Sequence, residues 1–157
     1  GESAARVAAA GFDAWEMQIV HNDWHPGNIL FQDEMVVAVL DFDSARIKPP
    51  VTDAANAALQ FSMRTGDRDP HTWPDDVDED RFVALLDGYD AVRRLSIAEL
   101  RVLAPLMTEA LIAEAVSPIA ATGRFARLDG FAFLQTVLRK CRWLRENEER
   151  LMARWAG

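Results

Sequence analysis

The chain has 157 residues, 25 of them acidic and 17 basic, which gives a formal net charge of −8 and a pI near 4.8. An apolar share of 50% excludes intrinsic disorder, and the single cysteine, Cys141, excludes a disulfide scaffold. The acidic balance argues against a nucleic-acid partner and favours cationic ligands. No apolar run approaches the roughly 20 residues needed to span a bilayer. The stretch Val7–Ala10 is too short for a signal peptide, so one domain in the cytoplasm is the expectation.

In chain order, the alanine-rich segment Glu2–Trp15 reads as a helix and Met17–Val20 as a short, buried extended piece. The polar run His21-Asn22-Asp23-Trp24-His25-Pro26-Gly27-Asn28 suits no regular element, because Pro26 lacks an amide donor and Gly27 favours unusual dihedrals. It is expected to be an ordered loop, held firmly between buried strands. Ile29–Phe31 and Met35–Leu40 are β-type runs around Gln32-Asp33-Glu34, the pattern of a hairpin that delivers Asp41-Phe42-Asp43. Lys48-Pro49-Pro50 is extended, and Thr52 or Asp53 caps a helix reaching Met63.

Thr65–Asp80 is the irregular region, with seven carboxylates between Asp67 and Asp80. Beyond it the pattern is helical. Phe82, Leu85, Leu86 and Tyr89 share one face of a helix ending near Arg94. Ser96-Ile97-Ala98-Glu99 has the form of a capping box and opens a helix carrying Leu100, Leu103, Met107, Leu111 and Ala115. A last helix carries Leu134, Val137, Leu138, Cys141, Leu144, Leu151 and Trp155. The expected fold is α+β and mainly helical: a β-hairpin carrying the Asp41-Phe42-Asp43 loop, followed by a C-terminal helical bundle.

Asp23, Asn28 and the Asp41/Asp43 pair form the chemical constellation. A carboxylate, an amide five residues on and a second carboxylate after a hairpin meet the needs of phosphoryl transfer to a hydroxyl. The first carboxylate takes the proton of the attacking hydroxyl. The amide oxygen and the second carboxylate are hard ligands for magnesium, which neutralises nucleotide phosphates. A competing reading takes His21 and His25 as zinc ligands at i, i+4 spacing. It lacks both the helix and the glutamate after the first histidine that such a site requires.

His21–Asn28 followed by Leu40-Asp41-Phe42-Asp43 resembles the catalytic and metal loops of the aminoglycoside phosphotransferase family, a kinase-like group that includes choline, ethanolamine and type II homoserine kinases. Asp53-Ala54-Ala55 resembles the family's Asp-Leu-Ala helix start. Gly88-Tyr89, Leu95-Ser96 and Glu99 resemble its later Gly-Tyr, Leu-Ser and Glu stretch, so the likeness runs from about Val20 to Glu99. It implies a protein-kinase-like C-terminal lobe with Asp23 as the catalytic aspartate. Asn28 and Asp41 would bind Mg2+, ATP would donate the phosphoryl group, and His21 would brace the loop. Most members carry glycine where this chain has Asn22; choline and ethanolamine kinases have asparagine there.

A kinase also needs a glycine-rich cover and a phosphate-gripping lysine. The eight glycines never form G-x-G, the only lysines, Lys48 and Lys140, follow the loop, and 20 residues precede His21. Residues 1–157 are therefore expected to be the C-terminal lobe of a larger enzyme, inactive or nearly so alone. An apolar patch near Met17–Val20 would be uncovered and invite dimerisation.

Asp43 either binds metal or shapes its loop, Asp53 caps a helix and buttresses the catalytic loop, and His25 packs the loop or lies near phosphate. The acidic stretch is a solvated loop or a lid drawing a cationic acceptor. In the lid reading, Trp73 offers a cation–π face, with Asp76 and Tyr89 as further substrate contacts. The alternative to a small-molecule kinase is a catalytically silent module that binds amines or a protein partner.

Overall fold

In the computed structural model, which describes residues 1–156, five α-helices and three two-stranded antiparallel sheets follow one another. Helix α1 spans Glu2–Ala9 and stops well short of Trp15. The chain turns at Gly11 (φ 76°), a left-handed conformation that glycine adopts at little cost, and a 3₁₀ turn covers Phe12–Ala14. Strand β1 (Gln18–Val20) pairs with β4 (Arg46–Lys48), a non-local pairing that sequence periodicity does not reveal. Between them lies the expected hairpin, β2 (Ile29–Gln32) and β3 (Met35–Val39), with a bulge between Leu30 and Phe31.

The hairpin is not buried as its composition suggested. Leu30, Phe31, Met35, Val36, Val37, Leu40 and Phe42 are all exposed. In the other sheet Val20 is buried, while the facing pair Ile19 and Ile47 stands 77% and 74% exposed. The loop His21–Asn28 is therefore anchored from one side only, by the helices.

Those helices build the core. Helix α2 (Val51–Ser62) buries Val51, Ala54, Ala55, Ala58, Leu59 and Ser62, the 3.6-residue stripe of an amphipathic helix. Helix α3 (Glu79–Val92) adds Phe82 and Leu86. The capping box forms as expected, and Glu99, although buried, is held below the usual carboxylate range. Burial alone would raise it, but the Ser96 amide and hydroxyl and the Arg93 guanidinium, 2.8 Å away, outweigh burial. This box starts α4 (Ile97–Thr122), which contributes Leu103, Met107, Leu111 and Ala115. By length and composition α4 could cross a membrane, contrary to the expectation from sequence. Here it is the central helix, packed by α1, α2 and the last helix, α5 (Gly130–Ala156). A short hairpin, β5 (Arg124–Phe125) and β6 (Leu128–Asp129), joins α4 to α5.

On α5 the buried positions are Gly130, Phe133, Thr136, Val137, Lys140, Leu144 and Leu151, whereas Leu138 points to solvent. Lys140, 4% exposed, sits inside this apolar stripe. Its Nζ donates to the carbonyls of Arg64 (3.0 Å) and Pro74 (2.6 Å). Neighbouring donors complete the fastening: Thr136 Oγ1 to Pro70 O at 2.7 Å, and Arg139 Nε to Asp75 at 2.7 Å. The acidic stretch is thus an irregular loop, solvated over Thr65–Asp69 as expected, that is fastened to α5 as a strap and is not a free lid. Burial lowers the Lys140 ammonium to about 8, against the pull of Asp75 and Asp76. Burial also raises the Cys141 thiol to about 11, which keeps it protonated and unreactive.

Substituting Lys140→Met leaves two carbonyls without a donor and is expected to cost about 1–3 kcal/mol at neutral pH, read from denaturant midpoints. Lys140 releases its proton near pH 8 when folded but near 10.5 when unfolded. Between those values the unfolded chain holds more protons, so raising the pH favours folding. The stability of the parent protein relative to the variant is therefore expected to rise from pH 8 towards 10.

Candidate active site

The loop that follows Val20 is built on the first turns of α2. Asp53 is not the helix cap; it lies in the first turn, and its carboxylate faces back to the loop. One oxygen accepts the His21 amide at 2.8 Å and the other the Asn22 amide at 2.7 Å. One turn on, Asn56 Oδ1 accepts the Trp24 amide at 2.5 Å. Two acceptors spaced i, i+3 on one rigid helix thus fix three donors of a segment with no ladder of its own.

Asn22 has φ 65°, in the left-handed region. This gives a physical reason for glycine or asparagine at this position, since both tolerate that conformation better than other residues. The asparagine also gains a partner, because Lys48 Nζ donates to its Oδ1 at 2.8 Å.

His21, 5% exposed, joins the two motifs. Its Nδ1 accepts the Asp23 amide at 3.3 Å and its Nε2 lies 2.8 Å from the Leu40 carbonyl. Because that carbonyl can only accept, the network assigns the ring proton to Nε2. Leu40 is held at its other end too, its amide donating to Asn28 O at 2.9 Å. The next residue, Asp41, takes a left-handed conformation at φ 61°. With both ring nitrogens engaged inside the loop, His21 does not form a zinc pair with His25.

Asn28 is 6% exposed and donates through Nδ2 to the Asp23 carbonyl (3.0 Å) and carboxylate (3.2 Å). Those contacts orient the amide, and its Oδ1 accepts from no protein donor among the described residues. An uncommitted amide oxygen and an exposed aspartate held nearby are donors of the kind magnesium takes, with phosphates and water completing its shell. Among the described residues no three His, Cys, Asp or Glu side chains cluster as a metal centre would require, so the protein's share of such a shell is small.

His25 Nδ1 accepts the Gly27 amide at 3.0 Å and its Nε2 lies 3.9 Å from Asp23 Oδ2. A Cβ on Gly27 would meet that ring at 2.8 Å, so a larger residue there would displace the His25 imidazole from its bond to the Gly27 amide. Asp43 is exposed, and its carbonyl, not its carboxylate, takes the Arg46 guanidinium at 3.2 Å. Its side chain does not shape the loop in the way expected.

A cavity of about 560 Å³ opens beside Asp23, with Asn22, Lys48, Thr52 and Asn56 on one wall. Glu109, Glu114 and Ser117 of α4 form the other. The Thr52 hydroxyl is buried without a partner there. Partial loss of water pushes the Glu114 carboxyl up, the Gln60 amide opposes this, and the Asp23 charge adds to it.

Trp73, Asp76 and Tyr89 do not line this cavity. Trp73 donates to the Asp67 carbonyl and stands edge-on to Phe133 at 6.0 Å. Asp76 pairs with Arg64 at 2.9 Å, and the Tyr89 hydroxyl donates to Pro50 O at 3.2 Å. Glu109 and Glu114 line the cavity instead, and sequence reasoning singled out neither. Their one available signal was two carboxylates in the apolar stretch of α4 that follows Arg101.

Asp53→Ala removes both acceptors and is expected to lower stability by about 2–4 kcal/mol. It should also strip hydrogen-exchange protection from the His21 and Asn22 amides, which can be followed residue by residue.

No curated protein matches the chain. The model of the phosphotransferase enzyme family matches residues 2–95, more than half of the chain and the whole span from α1 through the loop, the hairpin, α2 and α3. By that match, laid over the loop geometry, the chain belongs to the phosphotransferase enzyme family.

Proposed function

We propose that this protein takes part in ATP- and magnesium-dependent transfer of a phosphoryl group to a hydroxyl of a small, cationic acceptor such as an aminoglycoside or amino alcohol. The observation that carries this reading is the single network in which Asp53, His21 and Leu40 hold Asp23, Asn28 and Asp41 together.

Asp23 orients the acceptor hydroxyl and receives its proton on the carboxylate. Asn28 donates to that carboxylate and so keeps it facing the acceptor. Asn28 Oδ1 and the Asp41 carboxylate would hold Mg2+, which supplies charge neutralisation of the phosphates when bound. Asp23, Glu109 and Glu114 give the cavity three carboxylates against Lys48, which favours an acceptor bearing amines. Lys48, Asn56 and Thr52 offer polar contacts for its remaining hydroxyls.

These residues work with a nucleotide-clamping lobe that supplies the glycine-rich cover and lysine absent from this stretch of sequence. The exposed apolar strip of the two sheets is where that lobe, or failing it a second copy, would rest. The setting we propose is cytoplasmic, where ATP is available.

The test is phosphotransfer from ATP to a panel of amino alcohols and aminoglycosides by a polypeptide joining this chain to such a lobe. Asp23→Asn is expected to lower kcat by about 10²–10⁴-fold. Glu114→Gln is expected to raise KM for cationic acceptors about 5-fold with kcat little changed. Because the Glu114 carboxyl sits above the usual range, it loses its charge early on acidification. KM for cations should therefore climb at mildly acidic pH in the parent but not in Glu114→Gln. Equal amine binding without turnover in every form would point instead to a silent binding module.

A further inference from the structure

A second cavity, of about 380 Å³, lies against the same loop and shares no lining residue with the acceptor cavity. Trp24, Phe31, Phe61 and Tyr89 line it, together with Ala57 of α2. The one charged residue in its wall is Asp53, and no lysine, arginine or histidine lines it. Among the described residues Asp53 makes no ion pair. Its oxygens each accept one backbone N–H, which leaves acceptor capacity unused.

We propose that this cavity binds a small apolar ammonium ion. The lining selects that class on two counts. Aromatic side chains bury an apolar body and attract a cation through their ring quadrupoles. A negative charge with no countercharge disfavours an anion, and a neutral apolar guest would strip water from Asp53 without replacing it. A cation with a hydrocarbon shell satisfies both the rings and the carboxylate. The volume falls within the range of small-molecule sites.

Such an ion shares Asp53 with the amides of His21 and Asn22, so its presence is felt in the catalytic loop without contact with the acceptor. The site does not depend on the phosphotransfer reading, and binding is measured directly.

The probe is benzyltrimethylammonium chloride, titrated calorimetrically into the 157-residue chain, with amide and indole signals followed by nuclear magnetic resonance. A Kd of about 1 mM or tighter is expected for a ligand of this size. The His21 and Asn22 amides and the Trp24 indole should shift. Ala57→Leu, which fills the cavity, is expected to weaken binding at least about 10-fold, whereas Glu114→Gln, in the acceptor cavity, changes it less than about 2-fold. If Ala57→Leu does not fold, Phe61→Leu, which keeps an apolar lining but removes a ring, decides the matter by weakening binding severalfold. Phenylmethanesulfonate, similar in size and opposite in charge, should not bind. Absence of binding at about 10 mM probe, equal affinity for the sulfonate, or loss of binding in Glu114→Gln rather than the cavity variants would overturn the proposal.

Discussion

Two backbone amides resting on one carboxylate hold the candidate site together. Asp53 receives His21 and Asn22 on its two oxygens, and each bond, being charge-assisted, is worth about 1.5–3 kcal/mol. Asp53 stands on α2, whose Val51, Ala54, Ala55 and Ala58 are sealed into the core, so the rigidity of the bundle passes into a segment that has none of its own. From His21 the constraint continues through an imidazole proton to Leu40 and from there to Asp41. Positive φ angles at Asn22 and Asp41 are tolerated because the surroundings determine both residues so fully.

Much of this was legible in the sequence, and the reasons are local. The β2–β3 hairpin, the capping box at Ser96 and the stripe of α4 all depend on neighbours within a few residues. Asp23 and Asn28 could be picked out because proline, glycine and polar groups crowd into a run that holds only one 3₁₀ turn, Pro26–Asn28, and Asp41 because it follows the hairpin. What stayed hidden is non-local. Nothing near Arg46–Lys48 announces a partner at Gln18–Val20, and nothing near Lys140 announces two carbonyls from a segment some seventy residues earlier. A lysine in an apolar stripe reads as an interruption until its acceptors are seen. The setting of Trp73 and Asp76 was hidden for the same reason: an acidic, aromatic loop invites a lid reading, while its fastening lies on a helix far along the chain.

The distribution of apolar surface follows from the same division. The bundle completes its own core, with Phe82, Leu86, Met107 and Leu144 fully enclosed, whereas the two sheets at the site leave isoleucines and a phenylalanine facing outward. Two-stranded sheets are too small to bury both faces. The site therefore has a rigid floor of helices and an apolar rim. Glu109 and Glu114 belong to the floor, where the central helix brings them opposite Asp23.

The strap over α5 is fastened mainly through its own main-chain oxygens, those of Arg64, Pro70 and Pro74, by donors that α5 supplies. Main-chain oxygens are the same whatever residue bears them. Much of the strap is thus free to drift in composition, or to be exchanged for another segment of equal length, while Thr136, Arg139 and Lys140 keep it seated. Diversity can gather in this part of the molecule without reaching the loop at the candidate site.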